Sequence, residues 1–327
     1  MRKDITKKFL MREDRFVKKM LSKDVVDFIF SKKINRDEKQ ISYDVIDFVN
    51  VFSTEFTNLN TKNILESGDK FKEVVLKNGK SIELNMIYCK YGEFEMGSND
   101  PEDENPKEQV EIERSFLLGE IEITQELYKL VMGNNPSICN VWDDGNSSQR
   151  PVENVTWYDA LLFCNKLSEL QGKKPYYEID SSTLLFTTLE KHFVQTNGNA
   201  NGFRLPYEKE WEYAAKAGTN NKYAGTNDER NLGEYAWFSE NSKINPNDKE
   251  GRTHPVKTKK PNEWGFYDMS GNVFEWCGDR YSCWPNVICR GGAWLTDASF
   301  LRTTRDGIKI EPNLHTIYIG FRIAISI

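Results

Sequence analysis

Several large functional classes are excluded by what this sequence lacks. No apolar run approaches the roughly 18 residues that a membrane-crossing helix needs. The opening stretch Met1-Arg2-Lys3-Asp4-Ile5-Thr6-Lys7-Lys8 has no apolar core of a secretory signal. Lys and Arg total 44 against 50 Asp and Glu, a net charge of -6, so no basic excess exists to neutralise a phosphate backbone and nucleic acid is not an expected partner. Only three His occur, His192, His254 and His315, too scattered for a His-rich metal site. The six Cys, at 89, 139, 164, 277, 283 and 289, include no CxxC pair and are too few per length for a disulfide scaffold. Cys277, Cys283 and Cys289 recur at intervals of six, which leaves a metal or disulfide cluster beside the plainer reading of buried free thiols.

Aromatics are plentiful: eight Trp, fourteen Tyr and nineteen Phe favour large aromatic core plugs over a lean helical bundle. The organisation changes along the chain. Residues 1–80 are rich in Lys, Asp and Glu, with no Gly before Gly68. Phe16, Val17, Met20, Leu21, Val25, Phe28 and Ile29, and later Val45, Ile46, Val49 and Phe52, follow helical spacing, so this region reads as small and mostly helical. Asn78-Gly79 between Val74-Val75-Leu76 and Ile82 signals a hairpin, because both turn residues tolerate positive φ. The main domain is therefore entered near residue 82 and runs to 327.

Two helices in it have readable edges. Thr156, with Asp159 three residues on, forms a capping-box pattern, and Trp157, Ala160, Leu161, Cys164 and Leu167 line one face. A second helix is expected to begin at Pro206, bury Trp211, Ala214 and Ala215, and end at Gly218. From Gly265 onward the mixture of Gly, Asn and aromatics suits ordered loops and brief strands. The fold class is α+β, loop-rich, with short strands and about two main helices.

An ordered string of motifs makes the assignment sharper. Ile87-Tyr88, Gly92-Glu93-Phe94-Glu95-Met96-Gly97-Ser98, Glu122-Ile123-Thr124-Gln125 and Val131-Met132-Gly133-Asn134-Asn135-Pro136-Ser137 come first. Pro151-Val152-Glu153-Asn154-Val155-Thr156-Trp157, Phe203-Arg204-Leu205-Pro206 and Glu210-Trp211-Glu212-Tyr213-Ala214-Ala215 follow. Asn262-Glu263-Trp264-Gly265-Phe266-Tyr267-Asp268-Met269-Ser270-Gly271-Asn272-Val273-Phe274-Glu275-Trp276, Arg290-Gly291-Gly292-Ala293-Trp294 and Ile319-Gly320-Phe321-Arg322 complete the series. Together they resemble the C-type-lectin-like domain of the formylglycine-generating enzyme and sulfatase-modifying-factor family. Read physically, Trp211, Trp276 and Trp294 are core or loop-anchoring aromatics. Arg204 and Arg322 serve backbone carbonyls or carboxylates in a fold short of regular ladders.

The resemblance carries further implications. Its calcium-wrapping stretch matches Asp268 and Glu275 as side-chain ligands and Gly271 and Val273 as carbonyl ligands, so calcium is the candidate cofactor. The plainer reading is a carboxylate pair capping loop amides. Active oxidases of the family hold copper with two cysteines shortly after the Gly-Gly motif. Here Thr296 and Leu301 fall at those places and no Cys follows Cys289, so no copper is expected. A related sulfur–carbon-bond-forming branch uses three His on iron, and residues 1–80 contain none.

The layout between Leu295 and Tyr318 resembles the variable proteins of diversity-generating retroelements. There, adenine-directed rewriting of asparagine-type codons alters a lectin-fold surface and cannot produce Trp, Met, Gln, Lys or Glu. On that resemblance Leu295, Asp297, Ser299, Phe300, Asp306, Gly307, Ile308, Ile310, Asn313, Leu314, His315, Ile317 and Tyr318 are the ligand-contact candidates. Lys309, Glu311 and Arg302-Thr303-Thr304-Arg305 are scaffold, and Ile317 and Leu314 have a core reading as well. The expected function is non-catalytic binding of a protein or glycan through a hypervariable surface. An oxygen-using enzyme and a pseudo-enzyme regulator docked through residues 1–80 are the alternatives. Location stays open between cell surface and cytoplasm, and the oligomeric state is not readable.

Overall fold

The computed structural model describes residues 65–99, 106–139, 147–179, 194–244, 248, 250–280 and 286–327. The chain divides into two units, Met1–Asn63 and Ile64–Ile327, and the described residues belong to the second. The helices expected around Phe16–Phe52 therefore lie outside the described residues, as does Cys283.

The hairpin signalled by Asn78-Gly79 is present. Strands β1 (Lys70–Lys77) and β2 (Lys80–Cys89) pair antiparallel, and both turn residues have positive φ, 52° and 77°. Its first arm precedes residue 82, so the sheet begins inside the stretch assigned to 1–80. Strand β5 (Phe116–Gly119) pairs with β2, and the chain's last strand, β13 (Ala324–Ser326), lies between β5 and β8 (Phe203–Arg204). This five-stranded sheet thus joins the beginning and end of the domain. Two short hairpins flank it: β3 (Gly92–Met96) with β4 (Glu108–Ile112), and β6 (Tyr177–Ile179) with β7 (Val194–Thr196). The second sheet has the order β11 (Ile308–Ile310), β10 (Val287–Arg290), β9 (Phe274–Arg280), β12 (Ile319–Gly320).

Three α-helices occur among the described residues. Helix α1 (Gln125–Met132) is capped by the Thr124 side chain and stopped by Gly133. Helix α2 (Trp157–Leu170) starts on the expected capping box of Thr156 and Asp159. Two indoles lock it onto β9: Trp157 Nε1 donates to the Cys277 carbonyl at 2.7 Å, and Trp276 Nε1 to the Val155 carbonyl at 3.1 Å. Helix α3 (Glu208–Lys216) begins later than expected. Pro206 stays outside because its carbonyl accepts from Gly278 N, and the first turn is satisfied from elsewhere, with Asp279 Oδ2 accepting from Glu208 N at 2.5 Å. The helix ends before Gly218 because Ala217 already adopts the left-handed conformation.

Buried guanidinium groups supply what the sparse ladders do not. Arg322 donates to both Glu275 oxygens at 2.6 Å and to the carbonyls of Gly119 and Tyr267. Arg204 makes a two-pronged pair with Glu210 and also reaches the Leu205 carbonyl. Arg290 pairs with Glu212 at 2.5 Å and holds the Thr303 carbonyl. The roles read for Arg204 and Arg322 are those found. Trp211, Trp276 and Trp294 are all buried.

Candidate functional site

The segment from Leu295 to Tyr318 connects β10 to β12 and is pinned at intervals. At its start, Trp294 N donates to the Asn272 carbonyl at 2.9 Å. The Thr296 hydroxyl closes a tight turn, accepting from Ala293 N at 3.0 Å and donating to the Ala293 carbonyl at 2.9 Å. Asp297 caps the short 3-10 turn Ala298–Leu301 through Ser299 N. Leu301, Arg302 and Thr303 are buried, and Thr303 ties to the carbonyls of Asn221 and Lys222. Strand β11 then pairs with β10. Three carbonyls finish the series: Pro312 accepts from Trp157 N, Thr316 from Asn154 N, and Tyr318 from Phe274 N.

Between these pins all thirteen candidate residues retain access to solvent, Gly307 through its backbone alone. Leu295, Asp297, Asn313, Leu314 and His315 are exposed, with Leu295 at 42 % and Leu314 at 39 % too open to be core. Ser299, Phe300, Asp306, Gly307, Ile308, Ile310, Ile317 and Tyr318 are half-buried. Trp294 Nε1 donates to the Ile317 carbonyl at 3.2 Å, which joins the Leu295–Phe300 turn to the Asn313–Tyr318 loop. Ile308, Ile310 and Tyr318 lean on the main core, and Phe300 packs on it with the Arg305 guanidinium 5.3 Å above its ring. They offer edges rather than whole side chains.

Asp306 and Gly307 have a different neighbourhood, against Arg290 and the start of α3. A Cβ on Gly307 would lie 2.1 Å from Ile288 Cγ2 and 2.8 Å from Glu208 Oε1. Position 307 therefore presents backbone and has no room for a varied side chain.

The four residues of the calcium reading lie close together in the chain, from the turn at Asp268 to Glu275 at the start of β9, but the two carboxylates are engaged differently. Both Glu275 oxygens belong to Arg322, and Oε2 also accepts from Trp211 Nε1 at 2.8 Å. A cation on Glu275 would compete with a guanidinium already seated there. Asp268 fits better: Oδ2 accepts from Lys257 N at 2.8 Å, while Oδ1 is buried without a hydrogen-bond partner. Gly271, at φ 87°, lets the chain pass Trp237, whose carbonyl would lie 2.3 Å from an added Cβ. Val273 N donates to Glu122, which also accepts from Asn272 Nδ2. Burial pushes the Asp268 carboxyl up to about 6. Burial, with Asp268 and Glu275 nearby, raises Glu122 strongly. Of the two carboxylates, Asp268 keeps one oxygen without a hydrogen-bond partner, whereas both Glu275 oxygens are taken. Among the described residues no group of three or more His, Cys, Asp or Glu side chains is placed to hold a metal. Cys277 and Cys289 are buried free thiols.

Glu122 and the pair Glu153-Asn154 fall inside the motif series but carry no role of their own in the sequence reading. Glu153 is fully buried and receives Cys139 N at 2.8 Å. Asn154, at φ 60°, reaches both the Pro136 carbonyl and the Thr316 carbonyl. A Glu-Asn pair flanked by Val152 and Val155 was the available signal, overshadowed by the helix start that follows.

With this geometry in hand, the chain can be placed among known proteins. Residues 72–327 match the sulfatase-modifying factor enzyme 1-like domain, so the chain belongs to that family. Chaperone protein LppX of Paenibacillus barcinonensis is 37% identical over 223 residues, covering 61% of this chain and 75% of that protein. The formylglycine-generating enzyme of Streptomyces coelicolor is 32% identical over 146 residues, 38% of this chain and 46% of the enzyme. Among solved structures, Treponema denticola variable protein 1 superposes with a TM-score of 0.68 at 34% identity, covering 78% of this chain and 98% of that one. The proteins this chain is similar to thus include one named a chaperone, one named a formylglycine-generating enzyme and one named a variable protein. No helix among the described residues is long and apolar enough to cross a membrane.

Proposed function

We propose that this chain is a non-catalytic ligand-binding protein whose C-terminal lectin-fold surface is diversified by a retroelement. The observation that carries this reading is the alternation along residues 295–318. Buried pins at Trp294, Leu301, Arg302, Thr303, Pro312, Thr316 and Ile319 hold the backbone, while the side chains between them reach solvent. Such a segment can change its surface without changing its path. Apolar and aromatic groups exposed together suit recognition of a protein or glycan. The likeness to a variable protein over nearly the whole of that chain supports the same reading. Calcium, if bound, would use Asp268 Oδ1 and would brace the turn rather than act on a ligand.

The test is sequencing of the gene and its flanks from several cultured lineages. Substitutions gathered at the candidate positions, sparing Trp294, Arg302, Gly307 and Ile319-Gly320-Phe321-Arg322, support the reading. A segment as constant as the rest of the domain refutes it. An oxidase reading follows from the family, and the sites of the copper cysteines weigh against it. Thr296 spends its hydroxyl on its own turn, and Leu301 is buried in an apolar cluster. Incubating the chain with copper(I), oxygen and a cysteine peptide from a sulfatase should give no aldehyde, and aldehyde formation would restore the enzyme reading.

A further inference from the structure

We propose that Glu153 is a pH-sensitive clip that fastens the loop Pro136–Cys139 to the ligand-face loop Asn313–Thr316. The clip rests on the geometry around Glu153. Its effect on ligand binding rests on the reading above.

Glu153 and Asn154 lie in the short connection before α2 and between them touch both loops. Glu153 Oε1 accepts from Cys139 N at 2.8 Å. The Ser137 hydroxyl fits between the Glu153 backbone groups, accepting from N at 3.2 Å and donating to the carbonyl at 3.3 Å. Asn154 Nδ2 donates to the Pro136 carbonyl at 2.9 Å, and Asn154 N to the Thr316 carbonyl at 2.8 Å. His315 Nδ1 lies 3.4 Å from the Asn154 carbonyl. One short segment thus grips a loop outside the variable stretch with one residue and the variable stretch itself with the next.

The carboxyl at the centre of this grip is fully buried, and its second oxygen, Oε2, has no hydrogen-bond partner. A neutral carboxyl tolerates such a site, whereas for an ionised one the cost of desolvation outweighs the favourable contacts from the Cys139 amide and thiol and the Ile138 amide. Burial accordingly pushes Glu153 up to about 7. The groups around it, among the described residues, are few. Its own segment brings Arg150. The Pro136–Cys139 loop brings the Ser137 hydroxyl and the Cys139 thiol, which burial keeps protonated. Thr253 lies beside that thiol. Next to Thr253, burial lowers His254 to about 4, so it is neutral throughout the working range. On the ligand face only exposed His315 approaches.

The sign follows from proton counting. Closed, the carboxyl titrates near 7; released, it returns to its ordinary value of 4.5. The closed clip therefore holds more protons, and opening becomes easier as pH rises between those values. From about pH 6 to about pH 8, ionisation favours the open form about a hundredfold, and ionisation of the closed form offsets about tenfold of that. A net gain of about tenfold in opening remains.

The experiment is amide hydrogen exchange on the full chain at about pH 6 and about pH 8, corrected for the intrinsic rate, in wild type and Glu153→Gln. The expected result is an about tenfold loss of protection at Cys139 and Asn154 in wild type, with β2 and β5 amides unchanged, and no such loss in the Gln variant. Equal protection at both pH values, or the same loss in the variant, overturns the proposal. Should the variant not fold, the wild-type Glu153 side-chain carbon resonance followed through the same range decides. A midpoint near neutrality supports the clip, and one near the ordinary carboxylate value overturns it. No ligand is needed, so a failure here is separate from a constant segment in the lineage sequences.

Discussion

The stretch Asp268–Trp276, a turn that runs into β9, and the segment Leu295–Tyr318, irregular apart from β11, are held in opposite ways. In the first, side chains do the holding. Glu275, Asn272 and Asp268 are buried and committed to Arg322, Glu122, His254 and Lys257. In the second, the pinning falls largely on backbone groups and on a few buried residues, and the intervening side chains are released to solvent. A loop held by its side chains fixes its sequence, whereas a loop held by its backbone leaves its sequence open. The second arrangement is what a diversified surface requires.

The largest effect that would break this contrast belongs to the first region. Arg322→Ala leaves Glu275 buried without its cation, and loss of one partner of such a pair costs about 3–5 kcal/mol. Denaturant unfolding should show it as a lower midpoint, or as failure to accumulate folded protein. Conversion of both residues to apolar groups of matching volume should recover much of the loss, because the penalty lies in the stranded charge.

Gly307→Ala probes the one candidate position that belongs by packing with the fixed residues. Its Cβ would meet Ile288 at 2.1 Å, and overpacking of this kind costs about 1–3 kcal/mol. If the same unfolding measurement shows no loss, position 307 rejoins the variable set.

The pH dependence of stability sharpens the comparison further, because buried titrating groups belong to the fixed region. Burial holds Asp279 at about 6, above its ordinary 3.8. The native state keeps that proton longer, so this contribution to stability is present at low pH and is lost as pH rises through 6. His254 has the opposite sign. Burial lowers it from 6.5 to about 4, so its contribution is present above 6.5 and is lost as pH falls toward 4. Relative to wild type, Asp279→Asn should therefore shift the change in melting temperature between about pH 4 and about pH 6 toward a smaller fall or a larger rise. The same change in both proteins would mean that Asp279 does not contribute.

Much of the framework was legible in the sequence because its signals are local. Asn78-Gly79, the Thr156–Asp159 box and the Trp-bearing motifs each specify their own turn, cap or plug. Contacts between distant segments were less legible. Nothing in the composition of Glu275 reveals that Arg322 occupies its carboxylate, and nothing near Pro206 shows that Asp279 caps the following helix. Gly307 suffered in the same way. Among exposed polar and aliphatic neighbours it reads as one more changeable position, and only its approach to Ile288 shows otherwise.

The smallest expected effect tests the open half of the contrast. Leu295, Asn313, Leu314 and His315 stand between backbone pins with exposed side chains. Replacing Leu295 and Leu314 with Ser, Asn313 with Tyr and His315 with Phe, together in one variant, keeps every backbone pin of the segment. His315 alone gives up a polar contact, its long approach to the Asn154 carbonyl. Surface changes of this kind usually shift stability by no more than about 0.5 kcal/mol each, so the four together should stay within about 2 kcal/mol of wild type. The fold should also be retained, as judged by protection of the Asn154 and Phe274 amides that donate into the segment. A loss well beyond that range would mean that these side chains help to set the loop's path, and the segment would then be as fixed in sequence as the turn it is compared with.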